Sequence, residues 1–221
     1  YSILNPYFEN SSQKKEYKQT LKYLSPDYSR LSKYVKNIVS GIISSDLDYH
    51  IPYRGTKKYL GMIPNPVNID KLKKSDSLKR DKIYILHAIN SKNKIKKGNK
   101  FFDKSLSIIE KKYSDKIKVI RTIDNHYSSH IKNVEHCDIL LDQVYAYDQG
   151  YNALEAMALG KVVFTGAEVE WAEYYNIKED MVAINALPDI NKIVDKLSWL
   201  IENPIHLENI SKNARKFIED H

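Results

Sequence analysis

From Lys82 onward, short β-branched runs alternate with amphipathic helical stretches, and that alternation limits the chain to very few folds. KIYILHAI (82–89), KIKVIRT (116–122), DILLDQ (138–143), KVVFT (161–165) and MVAIN (181–185) are runs of buried-strand length. Between and after them, residues 101–113, 126–136, 151–159, 189–202 and 204 onward read as helices, the third stopped by Gly160. Right-handed crossovers then predict an α/β fold, a Rossmann-like parallel sheet with helices on both faces. In such sheets ligands bind beyond the carboxyl ends of the strands. Function is therefore expected in the loops after Ile89, Thr122, Gln143 and Thr165.

The first ~60 residues do not share this rhythm. They are rich in Tyr and Lys, with a helix expected over residues 28–43 and a strand or loop at DYHIPY (48–53). YLGMIPNPVNID (59–70) carries Pro64 and Pro66, which hold the chain extended and suit a crossing between domains. KLKKSDSLKRD (71–81) reads as a polar, exposed loop or short helix. The chain starts at Tyr1 and ends inside a helical pattern, SKNARKFIEDH, so a piece of a longer protein is expected.

No apolar run approaches the ~20 residues of a membrane helix, and the N-terminus lacks the features of a signal peptide. One cysteine, Cys137, excludes an internal disulfide framework and a cysteine-based metal site, and a cytoplasmic protein is the default. The net charge of +7 raises nucleic-acid binding, but only five of the 35 basic residues are arginine. Arginine is the better residue for bidentate phosphate and base recognition, and the lysines are spread along the chain, so no nucleic-acid partner is expected.

Two loops carry candidate chemistry. Residues 90–99 hold Lys92, Lys94, Lys96 and Lys97, with Lys100 just beyond, and open a helix near Asn99. Basic side chains beside a helix N-terminus favour an anion such as a diphosphate, although composition alone favours a solvated loop. The loop from Gln143 to Gly150 opens the next helix, where the amides of Tyr151, Asn152 and Ala153 would face the crevice. Glu155, one turn in, could accept hydrogen bonds from a ribose diol. Asn152 with Glu155 also fits a capping box, and on the residues alone that reading leads. His87 reads as a packed histidine. His126 and His130 share a face, but without acids or cysteines at ligand spacing no metal site is expected. Trp171 and Tyr175 read as packing residues. The strand at 82–89 is followed by no GxGxxG, and a P-loop is absent.

Four elements in order resemble the C-terminal domain of retaining GT-B glycosyltransferases, the glycosyl transferases group 1 type. They are IPNPVNID, the strand with His87 and Ala88 followed by Lys97-Gly98, HCDILLDQ, and YNALEAMALGKVVFTG. The resemblance covers about residues 60–220. It implies that 1–60 are the tail of an acceptor domain with its linker, and 61–221 a donor-binding domain. It implies a UDP-sugar or GDP-sugar donor, hexosyl transfer with retention to a glycan or lipid-linked glycan, and no metal or other cofactor. It further implies a missing N-terminal domain, a role in bacterial surface polysaccharide synthesis, and peripheral association of the full-length protein with the inner face of the membrane. Lys97 and Gly98 match the diphosphate-contacting element. Gly150, Tyr151 and Asn152 match the helix start that cradles the diphosphate, and Glu155 matches the second glutamate of a paired motif, which holds the ribose. The first glutamate would fall at Tyr147, which is not acidic; Asp148 is the nearest acid, and Asp142 or Gln143 are other substitutes. Asn152 and Val162 stand where the family has glycine and proline. No catalytic residue is assigned. A degenerate glycosyltransferase-like interaction module is the alternative reading.

Overall fold

The computed structural model describes residues 25–73 and 80–221. Most of the polar segment expected at 71–81 and the first 24 residues lie outside them. The chain divides into two compact units between Asn65 and Pro66.

The first unit holds α1 (Pro26–Ile38), β1 (Ile42–Ser44), α2 (Leu47–Tyr53) and β2 (Tyr59–Met62). The helix expected over 28–43 is shorter at its far end. Ser25 caps α1 and Pro26 occupies its first turn, where the missing N–H costs nothing. Gly41 follows its end, and the β-branched pair Ile42 and Ile43 enters a strand instead. The strand or loop expected at DYHIPY is helix α2. Asp46 starts it by accepting a hydrogen bond from the Tyr49 amide at 3.2 Å. Pro52 is tolerated because α2 is a single short segment of seven residues. Part of the extended crossing is strand too, since β2 pairs parallel with β1.

The second unit is built on β3 (Ile83–Ile89), β4 (Ile117–Ile123), β5 (Ile139–Leu141), β6 (Val162–Thr165) and β7 (Ile184–Asn185). All pair in parallel, in the order β4-β3-β5-β6-β7. The helices are α3 (Asn99–Lys112), α4 (Tyr127–His136), α5 (Tyr151–Ala158), α6 (Val169–Tyr175), α7 (Ile190–Glu202) and α8 (Pro204–Asp220). Right-handed crossovers put α3 on one face and α4, α5 and α6 on the other. α7 packs on α3, and α8 lies on α5 and β6.

The sheet's centre is dry because its strands are apolar on both faces. Ile85 and Leu86 of β3, all of β5, and Val162, Val163 and Phe164 of β6 are fully buried. β4, an edge strand, is buried only at Ile117, its other positions being half-buried or exposed. α3 adds Phe102, Leu106 and Ile109, also fully buried; each such side chain stabilises the fold by about 1.5–3 kcal/mol.

The helix α6 was not anticipated. It is seven residues long, and Glu168 at its start makes no side-chain cap. Its Trp171 ring packs tilted against Tyr175 and Phe217, with centroids 5.9 and 5.4 Å away, so Trp171 and Tyr175 are the packing residues they read as. Burial pushes the Tyr175 hydroxyl up to about 12. Among the described residues, no helix is long and apolar enough to cross a membrane.

Candidate functional site

The chain leaves β3 towards β4 on one side and returns to β5 on the other. The loops that follow β3 and β5 therefore diverge, and a crevice opens between them at the carboxyl ends. Two contacts fix its mouth. The Val144 amide donates to the Lys97 carbonyl at 3.1 Å, joining the two loops. Gly98, at φ +68°, makes the turn into α3 in the left-handed region, and a Cβ there would lie 2.2 Å from Val144 Cγ2. Only glycine meets both conditions without strain.

That turn delivers Lys97. Its Nζ lies 2.6 Å from Oδ1 of Asp142, the first residue after β5. Asp142 is 1% exposed and serves as a junction. Its Oδ1 also accepts from Asn152 Nδ2 at 2.7 Å, and Thr165 Oγ1 reaches Oδ2 at 3.4 Å. With Nδ2 committed to a carboxylate, the Asn152 oxygen must accept, and His130 Nε2 donates to it at 2.5 Å. One turn along α5, Glu155 Oε1 accepts from the Tyr127 hydroxyl at 2.8 Å.

The capping-box reading fails. The cap position of α5 is Gly150, which makes no side-chain bond, and Asn152 and Glu155 both turn outward to other partners. The expectation of three available amides is corrected as well. The Ala153 amide donates to the Gly150 carbonyl at 2.9 Å, which leaves those of Tyr151 and Asn152 without an acceptor among the described residues.

A cleft of about 350 Å³ lies beside this junction, lined by Lys97, Thr122, Asp124, Tyr127, His130 and Asn152, with the ends of β3. Its far wall is held by Asp124, at φ +51°, whose carboxylate accepts from the Ser91 amide at 2.8 Å. Those Ser91 hydrogen bonds hold the Asp124 carboxyl below the usual carboxylate range. The loops after β3 and β4 are thus joined as those after β3 and β5 are.

Of the loop lysines, Lys97 reaches the cleft, while Lys92, Lys94 and Lys96 are solvent-exposed, and Lys100 lies over the Phe101 ring at 5.4 Å. Asp148 is buried and does not line the cleft; Gln143 Nε2 donates to its backbone carbonyl at 3.3 Å. Tyr147, at the position where the resemblance expects an acid, uses its carbonyl to accept from the Glu168 amide at 3.1 Å. Sequence reasoning missed Tyr127, His130 and the Asn152 side chain as members of the site. The available signal was the spacing of Tyr127 and His130, which places both on the first turn of a helix opening at the crevice.

His87 is packed, as expected. It is fully buried, with Nε2 2.9 Å from Asn99 Nδ2, Nδ1 3.1 Å from the Asp103 carboxylate, and its ring edge-on to Phe102. Burial lowers its pKa, Asp103 opposes that shift, and Arg121 adds to it. The folded ring therefore takes up its proton at lower pH than the unfolded chain, which protonates near about pH 6.5. The stability this contributes is complete above that pH and falls as acid protonates the unfolded state, by up to about 1.4 kcal/mol per pH unit. His87→Gln is expected to lose stability less steeply than the unaltered chain in urea titrations between about pH 7 and 5. Parallel profiles would refute this.

The chain is an α/β domain whose switch point presents a lysine, two helix-start amides and a carboxylate, at the place where such sheets bind their ligands. Residues 70–217 match the family model of glycosyl transferases group 1, and the chain belongs to that family. Comparison with curated proteins finds no match. Solved structures similar in fold include TarM of S. aureus in complex with UDP, at 13% identity and TM-score 0.62, over 83% of this chain and 41% of that one. HepE of Anabaena in complex with UDP-glucose aligns at 13% identity and TM-score 0.61, over 89% of this chain and 65% of that one. The C-terminal domain of the group 1 family protein LpcC from Francisella tularensis aligns at 19% identity and TM-score 0.52, over 70% of this chain and 97% of that domain. The chain thus spans about two fifths of the length of TarM.

Proposed function

We propose that this chain binds the nucleotide-diphosphate-sugar donor of a retaining, hexosyl-transferring glycosyltransferase. The observation that carries this reading is the convergence of Lys97, Asn152 and Tyr127 on one cleft at the switch point, with the start of α5 and Glu155, held by the Tyr127 hydroxyl, beside it. Lys97 and the α5 amides suit the diphosphate, and Glu155 suits the ribose diol. The loop of Thr122, Asp124 and Asn125 lines the same cleft, where a base would rest. Cationic and dipolar groups around the diphosphate would stabilise the charge of the leaving group, so the reading calls for no metal or other cofactor. The acceptor, a glycan or lipid-linked glycan, would be held by a partner domain beyond residues 61–221, and peripheral membrane association would belong to the whole protein.

UDP is the first nucleotide to try, because the HepE and TarM structures contain it. Calorimetric titration with UDP and GDP should show binding of at least one. Lys97→Gln, which keeps a donor for Asp142 but removes the charge, is expected to weaken it about tenfold, the loss of one charge-assisted contact. If neither nucleotide raises the melting temperature, the chain is the degenerate interaction module that Tyr147 would suggest.

A further inference from the structure

The Lys97 that a diphosphate needs is already engaged by a buried carboxylate of the chain itself. Asp142 receives both Lys97 at 2.6 Å and Asn152 at 2.7 Å on one oxygen, and both donors face the cleft. Asp142 is 1% exposed and tied from behind by Thr165, so it has no room to turn away. Lys97 is the partner able to move, being 23% exposed on a loop of turns. An anion entering the cleft meets a neutralised lysine and, behind it, a fixed negative charge. It must draw Lys97 and Asn152 partly away from that charge, and repulsion across a few ångströms of protein interior is poorly screened. Beyond these two side chains, a bare phosphate or pyrophosphate has only the Tyr151 and Asn152 amides to hold. A nucleoside diphosphate adds the ribose contact at Glu155 and the base wall at Thr122 and Asp124.

We infer that Asp142 is an internal counter-ion that competes with the donor diphosphate for Lys97 and Asn152, weakening that contact so that an anion without ribose and base contacts is not held. This rests on the donor-binding reading above. Asn152 is part of the device, since its side chain links Asp142 to His130 where the resembled family has glycine.

The test compares inorganic pyrophosphate with UDP and GDP by calorimetry on the full chain. Asp142→Asn keeps the shape and can still accept from Lys97 and Asn152, with its amide turned to Thr165. It is expected to bind pyrophosphate at least tenfold more tightly than the unaltered chain, and UDP or GDP by a similar factor. The gain should vanish in the Asp142→Asn, Lys97→Gln double variant. Unchanged or weaker pyrophosphate binding by Asp142→Asn overturns the inference. If Lys97→Gln alone leaves nucleotide binding untouched, the donor-site reading itself falls, which is a different result. Should Asp142→Asn not fold, magnetic resonance on the unaltered chain decides. The Lys97 Nζ and Asp142 carboxyl resonances should both shift on saturation with UDP or GDP, and resonances that stay fixed overturn it.

Discussion

Gly166→Ala is expected to destabilise the chain by about 3 kcal/mol, the upper range for overpacking, although the change adds one methyl group. A Cβ at position 166 would lie 2.4 Å from the Ala146 carbonyl oxygen, 2.7 Å from its carbon and 2.7 Å from the Asp148 oxygen. All three are backbone atoms, which cannot change rotamer to make room. The segment cannot move aside either, because the Gly166 carbonyl accepts from buried Gln149 Nε2 at 2.7 Å and the Glu168 amide donates to Tyr147 at 3.1 Å. These bonds lock the loops after β5 and β6 together, so the added methyl must push them apart or break a buried hydrogen bond. Gly150→Ala is the matched control, since a Cβ there meets nothing within 4 Å and the backbone, at φ −85°, suits any residue. It should cost less than about 1 kcal/mol. Urea unfolding measures both, and equal midpoints for the two variants at unchanged slope would refute the argument.

The contrast between these glycines shows what sequence can and cannot carry. Periodicity placed the strands, and every helix but α6, from Lys82 onward because an apolar run of strand length between amphipathic helices has one stable arrangement, a covered parallel sheet. The same reasoning located the crevice, since chain order alone places functional loops at the carboxyl ends. It was weaker before residue 60. There α2 depends on a single cap, Asp46, and β1 on pairing with residues 17 and 18 positions further on, Ile42 with Tyr59 and Ser44 with Met62. It also failed within α5. Asn152 and Glu155 have capping-box spacing, but that motif competes with partners brought in by the fold. Asp142 and His130 claim Asn152, and Tyr127 claims Glu155. Those partners sit 10, 22 and 28 residues away in sequence, beyond the reach of any local pattern. Lys97 was distinguishable from its neighbouring lysines only through the resemblance. Its separation from them physically comes from the left-handed turn at Gly98.

Glu155→Ala is expected to weaken nucleoside diphosphate binding roughly 30-fold, about 2 kcal/mol, as befits hydrogen bonds to a charged group. Tyr127 donates to Oε1 only, so Oε2 and the remaining lone pair of Oε1 are left for the two hydroxyls of a ribose. The Tyr127 bond fixes the carboxylate's rotamer before a ligand arrives, which reduces the entropy lost on binding. Tyr127→Phe should therefore weaken binding about threefold through orientation alone, with the carboxylate intact. The assignment to the ribose has its own test in the ligand. A 2′,3′-dideoxynucleoside diphosphate lacks the diol, and the unaltered chain should bind it about 30-fold less well than the ribonucleotide. Against that ligand Glu155→Ala should cost almost nothing, because the interaction is already missing, and the two losses should fail to add. A Glu155→Ala penalty of equal size for both nucleotides would show that the carboxylate acts on the structure of α5 and not on the ribose.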